Sequence, residues 1–277
     1  MNQFHHESGS EACPNGLLFD TIFFAGDNPT MAKREVVECP ILSIIPETPR
    51  VNTYRLGVGG GAFSFMAGQF LMASIPDFLR EDGRPVRRAY SIASSPLDLM
   101  EGYLDLTITR VGEGGYFSNR IHESKVDDIV LIEGPYGKAF HLAYPPERFP
   151  ERYLFVGSGS GIAPLRAMIR TLLKEGCPVP IELFYGYRHV SDCIYEEEIK
   201  EWMKKGVSVH LAISGSVSSG QVFSGAYGRV TSILPELIPS YNGQEVFICG
   251  PPAMVEQTVR FFQDIPFPEE SVHKEQW

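Results

Sequence analysis

The spacing of apolar residues along this chain changes once, near residue 150, and that change constrains the fold more than any single motif. Before it, short apolar or alternating runs are separated by glycine, proline and aspartate. Runs of this length and spacing are typical of an antiparallel sheet or barrel. The predicted strands cover residues 36–45, 52–58, 70–75, 88–93, 103–110 and 129–133.

After residue 150, short buried strands alternate with amphipathic helices. The proline-rich stretch 144–150 is predicted to be a linker. Strands are predicted at 153–156, 181–185, 208–213 and 245–249, and helices at 164–175, 195–205, 230–237 and 252–263. This alternation indicates a parallel sheet with helices on both faces. The chain is therefore predicted to have an N-terminal extension at 1–35, an antiparallel β-barrel domain at 36–145 and an α/β domain at 150–277.

Charge and cysteine usage narrow the class of function. The 277 residues carry a formal net charge of −10, which argues against a general binder of nucleic acid or anionic membranes. No apolar run could cross a bilayer and residues 1–10 lack the apolar core of a secretion signal, so a cytoplasmic location is expected. The five cysteines show no C-x-x-C spacing, so neither a zinc site nor iron–sulfur ligands are expected.

The stretch 88–96, Arg-Ala-Tyr-Ser-Ile-Ala-Ser-Ser-Pro, combines a cation, an aromatic ring and several hydroxyls on one predicted strand. Alternation along a strand puts Arg88 and Tyr90 on the same face. Arginine can bind a pyrophosphate with both arms of its guanidinium, and an aromatic ring can lie against a heterocycle. The alternative is a half-buried strand with a surface arginine, and the stretch alone leaves both interpretations open.

A glycine-rich turn lies between the first strand and the first helix of the predicted α/β region. Its sequence, Val-Gly-Ser-Gly-Ser-Gly-Ile-Ala-Pro at 156–164, lets a phosphate approach the backbone, and the helix dipole favours an anion. It is not G-x-G-x-x-G, because Ile162 occupies the third glycine position, and no Gly-Lys-Ser/Thr of a P-loop follows. A purely structural turn is the alternative, and the position after the first strand favours phosphate binding.

Two further turns carry weaker signals. A glycine loop at 112–115 precedes Ser118 and predicts a helix start, whose inward side chains would be Phe117, Ile121 and Val126. Such a start binds phosphate or simply begins a capped surface helix. The last predicted strand ends in Cys-Gly-Pro-Pro at 249–252, where the thiol either faces a ligand crevice or is only buried.

Four of these motifs, in this order and rough spacing, resemble the ferredoxin–NADP reductase superfamily. They are Arg88-x-Tyr90-Ser91, Gly115-x-x-Ser118, Gly157-x-Gly159-x-x-x-Ala163-Pro164 and Cys249-Gly250-Pro251-Pro252. The resemblance runs from about residue 36 to the end and is greatest to the FAD/NAD(P) reductase module of bacterial oxygenase reductases. It implies a Greek-key β-barrel that holds FAD and an α/β domain that holds a nicotinamide dinucleotide.

The resemblance also implies roles for individual residues. Arg88 would bind the flavin pyrophosphate, Tyr90 would stack on the isoalloxazine and Ser91 would lie near its N5. The other flavin-binding residues that it implies are Ala89, Thr107, Ile108, Thr109, Gly114, Gly115, Tyr116, Phe117 and Ser118. Those that it implies for the nicotinamide cofactor are Gly157, Gly159, Gly161, Ala163, Pro164, Gly186, Arg188, Cys249, Gly250, Pro251, Pro252 and Met254.

Catalytic roles are expected for Ser91, Cys249, Glu275 and Trp277. The chain ends in Glu-Gln-Trp, which is similar to the Glu-x-aromatic ending of the bacterial oxygenase reductases. The resemblance implies that Trp277 also contacts the flavin, as a lid that the nicotinamide displaces. The alternative is a disordered tail.

The activity that the resemblance implies is that of an NAD(P)H-dependent, FAD-containing reductase. It would pass electrons singly to a separate iron–sulfur protein of the ferredoxin type or to an oxygenase component. A basic cluster, whose alternative interpretation is an ordinary solvated loop, would attract an acidic ferredoxin and consists of Arg80, Arg84, Arg87 and Arg88. The alternatives are a flavin reductase that releases reduced flavin and a non-autonomous flavin subunit of a larger redox complex.

NADH is the expected reductant. The third strand of the α/β region is followed by Ser-Gly-Ser-Val-Ser-Ser-Gly at 214–220. This segment has no cationic side chain to bind the additional phosphate of NADPH. Arg188 and His189 follow the second strand and leave room for NADPH.

Overall fold

The computed structural model describes residues 36–59, 63–217 and 222–276. The predicted N-terminal extension 1–35 and the predicted lid Trp277 lie outside the described residues. Both sheets belong to the compact unit Arg34–Trp277. No helix in the described parts of the chain is long and apolar enough to span a bilayer.

The first sheet is antiparallel and has the six strands that the sequence predicts. They are β1 (Val36–Thr48), β2 (Val51–Gly57), β3 (Phe70–Ser74), β4 (Arg88–Ser91), β5 (Tyr103–Thr109) and β6 (Ile129–Tyr136), in the spatial order β4-β3-β6-β1-β2-β5. The two outer strands also meet, because Ile92 bridges Leu106 and the Ala93 N–H donates to the Asp105 carbonyl at 2.9 Å. This contact closes the sheet into a barrel.

A short helix, α1 (Tyr116–Ile121), connects β5 to β6. Phe117 and Ile121 are buried as predicted, but the prediction for Val126 is wrong, since its side chain is 47% exposed. The physical reason is that α1 ends at Ile121, so Val126 lies beyond the helix and has no place on its inward face.

The second sheet is parallel, with helices on both faces. Its strands are β7 (Arg152–Ser158), β8 (Ile181–Tyr187), β9 (Ser208–Ile213), β10 (Ala226–Tyr227), β11 (Gln244–Gly250) and β12 (Val272–Gln276), in the order β10-β9-β8-β7-β11-β12. Its helices are α2 (Ile162–Lys174), α3 (Glu196–Lys204), α4 (Leu234–Leu237) and α5 (Pro252–Asp264). The predicted two-domain fold class is confirmed.

Two strands of the parallel sheet, β10 and β12, were not predicted from the sequence. β10 has only two residues, which is too short to show a pattern. β12, Val-His-Lys-Glu-Gln, is polar and shows no buried apolar run, so the sequence gives no signal of a strand there. Pairing with β11, in which Cys249 lies opposite Glu275, makes this segment one of the two outer strands of the sheet.

Alternation along β7 explains how both faces of the parallel sheet are covered. Phe155 packs on one side with Leu165 and Met168 of α2, whereas Leu154 packs on the other with Val255 of α5. All five side chains are at most 1% exposed. Burying each large apolar side chain stabilises the fold by about 1.5–3 kcal/mol, so the helices are held to the sheet mainly by apolar contact.

The barrel and the parallel sheet are joined by a buried cluster of charges. Arg166 of α2 is 4% exposed and donates to the Ala93 carbonyl at 2.9 Å, to Asp105 at 3.1 Å and to Glu198 of α3 at 2.6 Å. Asp105 also accepts from Arg55 at 3.0 Å. Because each buried charge has an opposite partner, the cluster fixes one arrangement of the two domains.

Candidate functional site

A cleft of about 650 Å³ opens between the barrel and the α/β domain, and it brings together most of the predicted flavin residues. From the barrel it is lined by Phe70, Arg88, Ala89, Tyr90, Ser91, Thr107, Thr109, Val111, Gly114, Gly115, Phe117 and Ser118. From the α/β domain it is lined by Ser160, Ala163, Glu275 and Gln276. We call it the first cleft. Its volume lies in the range of small-molecule and cofactor sites.

The wall of the first cleft is aromatic and its rim is basic. The rings of Tyr90 and Phe117 lie 5.6 Å apart, centroid to centroid, at an interplanar angle of 39°. Burial raises the pKa of the Tyr90 phenol, so this ring stays neutral. Arg88 is exposed at the rim, two residues along β4 and on the same face as Tyr90. The arrangement suits a ligand with a flat ring and an anionic group.

The start of α1 forms one end of the first cleft, and Ser118 holds it in shape. The Ser118 hydroxyl donates to the Gly115 carbonyl at 3.2 Å and accepts from the Val111 N–H at 3.2 Å. Its hydrogen is therefore already committed to the loop. Ser118 lines the cleft as predicted, but its hydroxyl braces the glycine loop, and the donors left to an anion at this end are backbone N–H groups.

Two of the predicted catalytic residues meet inside the first cleft. The Ser91 hydroxyl donates to Oε2 of Glu275 across the domain boundary, at 3.4 Å. Burial raises the pKa of Glu275 to about 7, and the hydrogen bond from Ser91 opposes part of that rise. The Glu275 carboxyl can therefore hold or release a proton near neutral pH.

Cys249 lies beside Glu275 without reaching the cleft surface. It is opposite Glu275 in the register of β11 and β12, and its side chain is fully buried. Burial raises the pKa of its thiol well above the usual value, so the thiol is protonated. Trp277, the fourth predicted catalytic residue, lies outside the described residues.

The glycine turn after β7 is required by packing as well as by conformation. Gly159 has φ +55°, a left-handed conformation that other residues adopt at a cost. A Cβ at Gly161 would lie 2.2 Å from the Cys249 carbonyl oxygen. The turn thus lets the start of α2 lie directly against the end of β11, and α2 begins at Ile162, two residues before its predicted start.

A second cleft, of about 250 Å³, lies where the parallel strands end. It is lined by Ser158, Gly186, Tyr187, Ser214, Gly228, Arg229, Val230, Thr231, Pro251, Ala253, Met254 and Gln257. Ligands of such sheets bind beyond the carboxyl ends of the strands. Gly186, Pro251 and Met254 were predicted from the sequence. Arg229 and Thr231 were missed, because the two-residue strand β10 that carries the chain there gives no sequence signal.

Ten of the predicted cofactor residues that the structure describes line neither cleft: Ile108, Tyr116, Gly157, Gly159, Gly161, Pro164, Arg188, Cys249, Gly250 and Pro252. Ile108 is fully buried in the barrel core, because its side chain points to the face of β5 opposite Thr107. Tyr116 is 70% exposed at the outer surface of α1. Arg188 is exposed after β8, where its carbonyl accepts from the Gly215 N–H at 2.8 Å. The cofactor-binding roles of Ile108, Tyr116 and Arg188 stay predictions.

Within the described residues, no group of three or more His, Cys, Asp or Glu side chains is placed to hold a metal ion. The residues of the first cleft instead fit a flavin dinucleotide. The neutral aromatic wall suits a ring system, whereas the arginine at the rim and the start of α1 suit a diphosphate.

Comparison with known proteins agrees with this division of the chain. Residues 39–141 match a family model described as an oxidoreductase FAD-binding domain, and residues 155–260 match an oxidoreductase NAD-binding domain. Ferredoxin–NADP reductase B of Sorangium cellulosum (strain So ce56) is 31% identical over 255 residues, which is 89% of this chain and 100% of that protein.

Two further similar proteins are also reductases. The reductase component of propane 2-monooxygenase from Mycolicibacterium goodii is 29% identical over 244 residues, which cover 85% of this chain and 66% of that protein. The crystal structure of a cytochrome P450 reductase from Amycolatopsis has a TM-score of 0.74 at 25% identity, over 88% of this chain and 70% of that one. This chain thus spans about two thirds of the length of these two proteins.

Proposed function

This chain belongs to the FAD- and NAD-binding oxidoreductases of the ferredoxin–NADP reductase type, and from that premise we propose that it delivers electrons from NAD(P)H, through FAD, to a separate iron–sulfur protein or oxygenase component. The observation that carries the proposal is the first cleft, which takes its lining from both domains. A ring held on the Tyr90 side faces residues of the nicotinamide domain directly. Such proximity is what hydride transfer between two bound rings requires.

When bound, FAD supplies acceptance of a hydride and release of single electrons. The protein's share is binding and orientation. Tyr90 and Phe117 would support the ring, and Arg88 would pair with the diphosphate. The glycine turn at Gly161 keeps the end of β11 against α2, so the nicotinamide domain presents a fixed surface to the flavin.

Ser91 and Glu275 would hold or release a proton beside the flavin. With its pKa near 7, Glu275 holds a proton at its carboxyl in part of the population at neutral pH. The ionised form accepts from the Ser91 hydroxyl at Oε2. Cys249 brings no charge to this region, because its buried thiol stays protonated.

The choice between NADH and NADPH depends on the second cleft. NADH was expected because no cation follows β9 in the sequence. Arg229 lines this cleft after β10 and supplies a cation that could pair with the additional phosphate. We therefore propose that NADPH is also a reductant. The name of the Sorangium relative, a ferredoxin–NADP reductase, agrees with this proposal.

The basic cluster beside the first cleft supports an acidic electron acceptor. Arg84 is 81% exposed and pairs with Asp82 at 3.7 Å, a distance at which solvent screens most of the attraction. Arg87 is paired with Glu133, and Arg88 lies at the rim of the cleft. An acidic partner would meet Arg88 at the rim of the first cleft, and electrostatic attraction to Arg88 and Arg84 would speed its association.

We also propose that the protein works in the cytoplasm. The four cysteines in the described parts of the chain are free, as they are in most proteins of a reducing compartment. Fractionation of cells that make a tagged form of the protein would test this location.

A spectrum of the purified protein tests the proposed function. We expect flavin absorption after reconstitution with FAD, and bleaching when NADH or NADPH is added without oxygen. Reoxidation by a one-electron acceptor such as ferricyanide should follow. A protein that takes up no FAD, or a bound flavin that neither nucleotide reduces, would refute the proposal. Release of reduced flavin during turnover would favour a free-flavin reductase instead.

A further inference from the structure

Thr107, on the wall of the first cleft, belongs to a buried hydrogen-bonded ring that extends into the other domain. Its Oγ1 lies 2.9 Å from Thr53 Oγ1, and it also bonds to the Tyr195 hydroxyl at the start of α3. Thr53 Oγ1 donates to Glu47 Oε1 at 2.7 Å, and the Tyr195 N–H donates to Glu47 Oε2 at 3.2 Å. Four residues from β1, β2, β5 and the α/β domain therefore form one closed ring.

The direction of every hydrogen bond in this ring follows from the carboxylate. Burial raises the pKa of Glu47, and the hydrogen bonds from Thr53 and Tyr195 oppose that rise. In the ionised form both oxygens of Glu47 accept, so the Thr53 hydroxyl hydrogen is committed to Glu47. In the contact between the two threonines, Thr107 must then be the donor. Because its own hydrogen is used, Thr107 can only accept from Tyr195. One lone pair on Thr107 Oγ1 remains for the cleft.

The backbone of Tyr195 has a strained conformation. Its φ of 62° and ψ of 32° lie in the left-handed region, which costs a residue other than glycine about 1–2 kcal/mol. The conformation is held by three contacts at once. These are the N–H bond to Glu47, the hydroxyl bond to Thr107 and the Arg166 guanidinium, 4.6 Å from the centre of the ring. Strained residues that are held in this way cluster at functional sites.

We propose that Tyr195 is a positioning residue for the flavin and that it acts through Thr107. The hydrogen of Thr107 is directed to Thr53, and the Tyr195 hydroxyl occupies one lone pair of Thr107 Oγ1, so that the other lone pair is held toward the first cleft. Thr107 then binds a donor of the cofactor, an O–H or N–H group, and discriminates against an acceptor at that point. The inference rests on the proposed function, because it assumes that the first cleft holds FAD.

The consequence is a direct link between the two domains at the flavin. Tyr195 immediately precedes α3 of the nicotinamide domain, whereas Thr107 is on β5 of the barrel. A change in the nicotinamide domain that moves the start of α3 would therefore reach the flavin through one hydroxyl. The contact is buried on both sides, with Tyr195 3% and Thr107 5% exposed, so water cannot readily substitute for it.

The experiment is a double-mutant cycle on FAD affinity, measured by quenching of flavin fluorescence, with thermal unfolding of the same proteins. We expect Tyr195→Phe and Thr107→Val each to raise the Kd for FAD about fivefold, the worth of one hydrogen bond. In the Thr107→Val background, Tyr195→Phe should leave the Kd unchanged within twofold. It should nevertheless raise the melting temperature there, since it removes a buried hydroxyl that the Thr107→Val substitution leaves unpaired.

The matched control is Tyr153→Phe. Tyr153 is fully buried in the same domain and its hydroxyl has no hydrogen-bond partner. Its loss should leave the Kd for FAD unchanged. The inference is overturned if Tyr195→Phe leaves the Kd unchanged, or if it raises the Kd equally with and without Thr107. It is also overturned if the Kd merely follows the melting temperature across the set. Failure of the wild-type protein to bind FAD would instead refute the proposed function.

Discussion

The barrel and the α/β domain touch in several regions, and two of these regions differ in strength. In the Arg166 cluster (Arg166, Arg55, Asp105 and Glu198), charged groups that are mostly buried meet at 2.6–3.1 Å. In the first cleft, one hydroxyl meets one carboxyl, Ser91 to Glu275, at 3.4 Å. The domains are therefore held more firmly at the Arg166 cluster than at the contact between Ser91 and Glu275. The loose contact is the one that an incoming ring can displace at small cost.

The largest expected effect comes from breaking the firm contact. Arg166→Met leaves Glu198 with one cation fewer and removes one of the two cations at Asp105. We expect a loss of about 3–5 kcal/mol in the free energy of unfolding, as for other buried pairs that lose one partner. Denaturant titration measures it.

A surface pair of the same chemistry is the control for Arg166. Arg152 pairs with Glu182 at 2.9 Å, but its side chain is 43% exposed. Arg152→Met should therefore cost less than about 1 kcal/mol. Equal losses in the two variants would mean that burial is not what makes the Arg166 cluster strong, and the comparison of the two regions would fail.

The second change tests the loose contact through pH. The pKa of Glu275 rises from its ordinary value of 4.5 to about 7 in the folded protein. The folded state therefore binds the proton more tightly than the unfolded state, and Glu275 lowers stability as pH rises through 7. Glu275→Gln should be more stable than wild type above pH 7, by about 2 kcal/mol after allowance for partial exposure. The two should converge below pH 4.5.

Thermal unfolding of both proteins without flavin, from pH 5 to pH 9, measures that difference. Glu270→Gln is a suitable control, because Glu270 is exposed. A stability difference that stays constant with pH would contradict the raised pKa of Glu275.

The third change asks whether the second cleft works independently of the contact at the flavin. Arg229→Ala should lower kcat/KM for NADPH about tenfold, the worth of one exposed charge-assisted hydrogen bond, and leave that for NADH within twofold. The Kd for FAD should not change, since Arg229 lines only the second cleft among those described. Steady-state rates with both nucleotides measure the ratio. An equal loss with NADH would assign Arg229 to a group that both nucleotides share.

The smallest expected effect on stability comes from Ser91→Ala. A hydrogen bond at 3.4 Å is long, so its loss should cost less than about 0.5 kcal/mol at neutral pH. The bond lowers the pKa of Glu275, so its removal should move that pKa further up. The pH at which the stabilisation by Glu275→Gln levels off should rise by the same amount in a Ser91→Ala background. A downward shift would mean that Ser91 does not donate to the carboxylate.

Prediction from the sequence was most complete for cleft residues that lie close together along the chain. The residues Arg88 to Ser91 and Gly114 to Ser118 lie in two short stretches, and all but Tyr116 line the first cleft. Their spacing along a strand and around a helix start can be recognised from the sequence without knowledge of the fold. The lining of the second cleft comes from five separate parts of the chain, and Arg229 among them had no local signal.

The strands of the barrel, the helices of the α/β domain and the glycine turn at 157–161 follow from the sequence alone, because their side-chain period and backbone requirements are properties of neighbouring residues. Three features could be seen only in the folded structure. Residues 272–276 form a strand, Ser91 meets Glu275 and Tyr195 bonds to Thr107. These contacts join residues 88 to 184 positions apart. They exist because the Arg166 cluster and the buried β5 hold two separately folded sheets in one arrangement, and no local pattern carries that information.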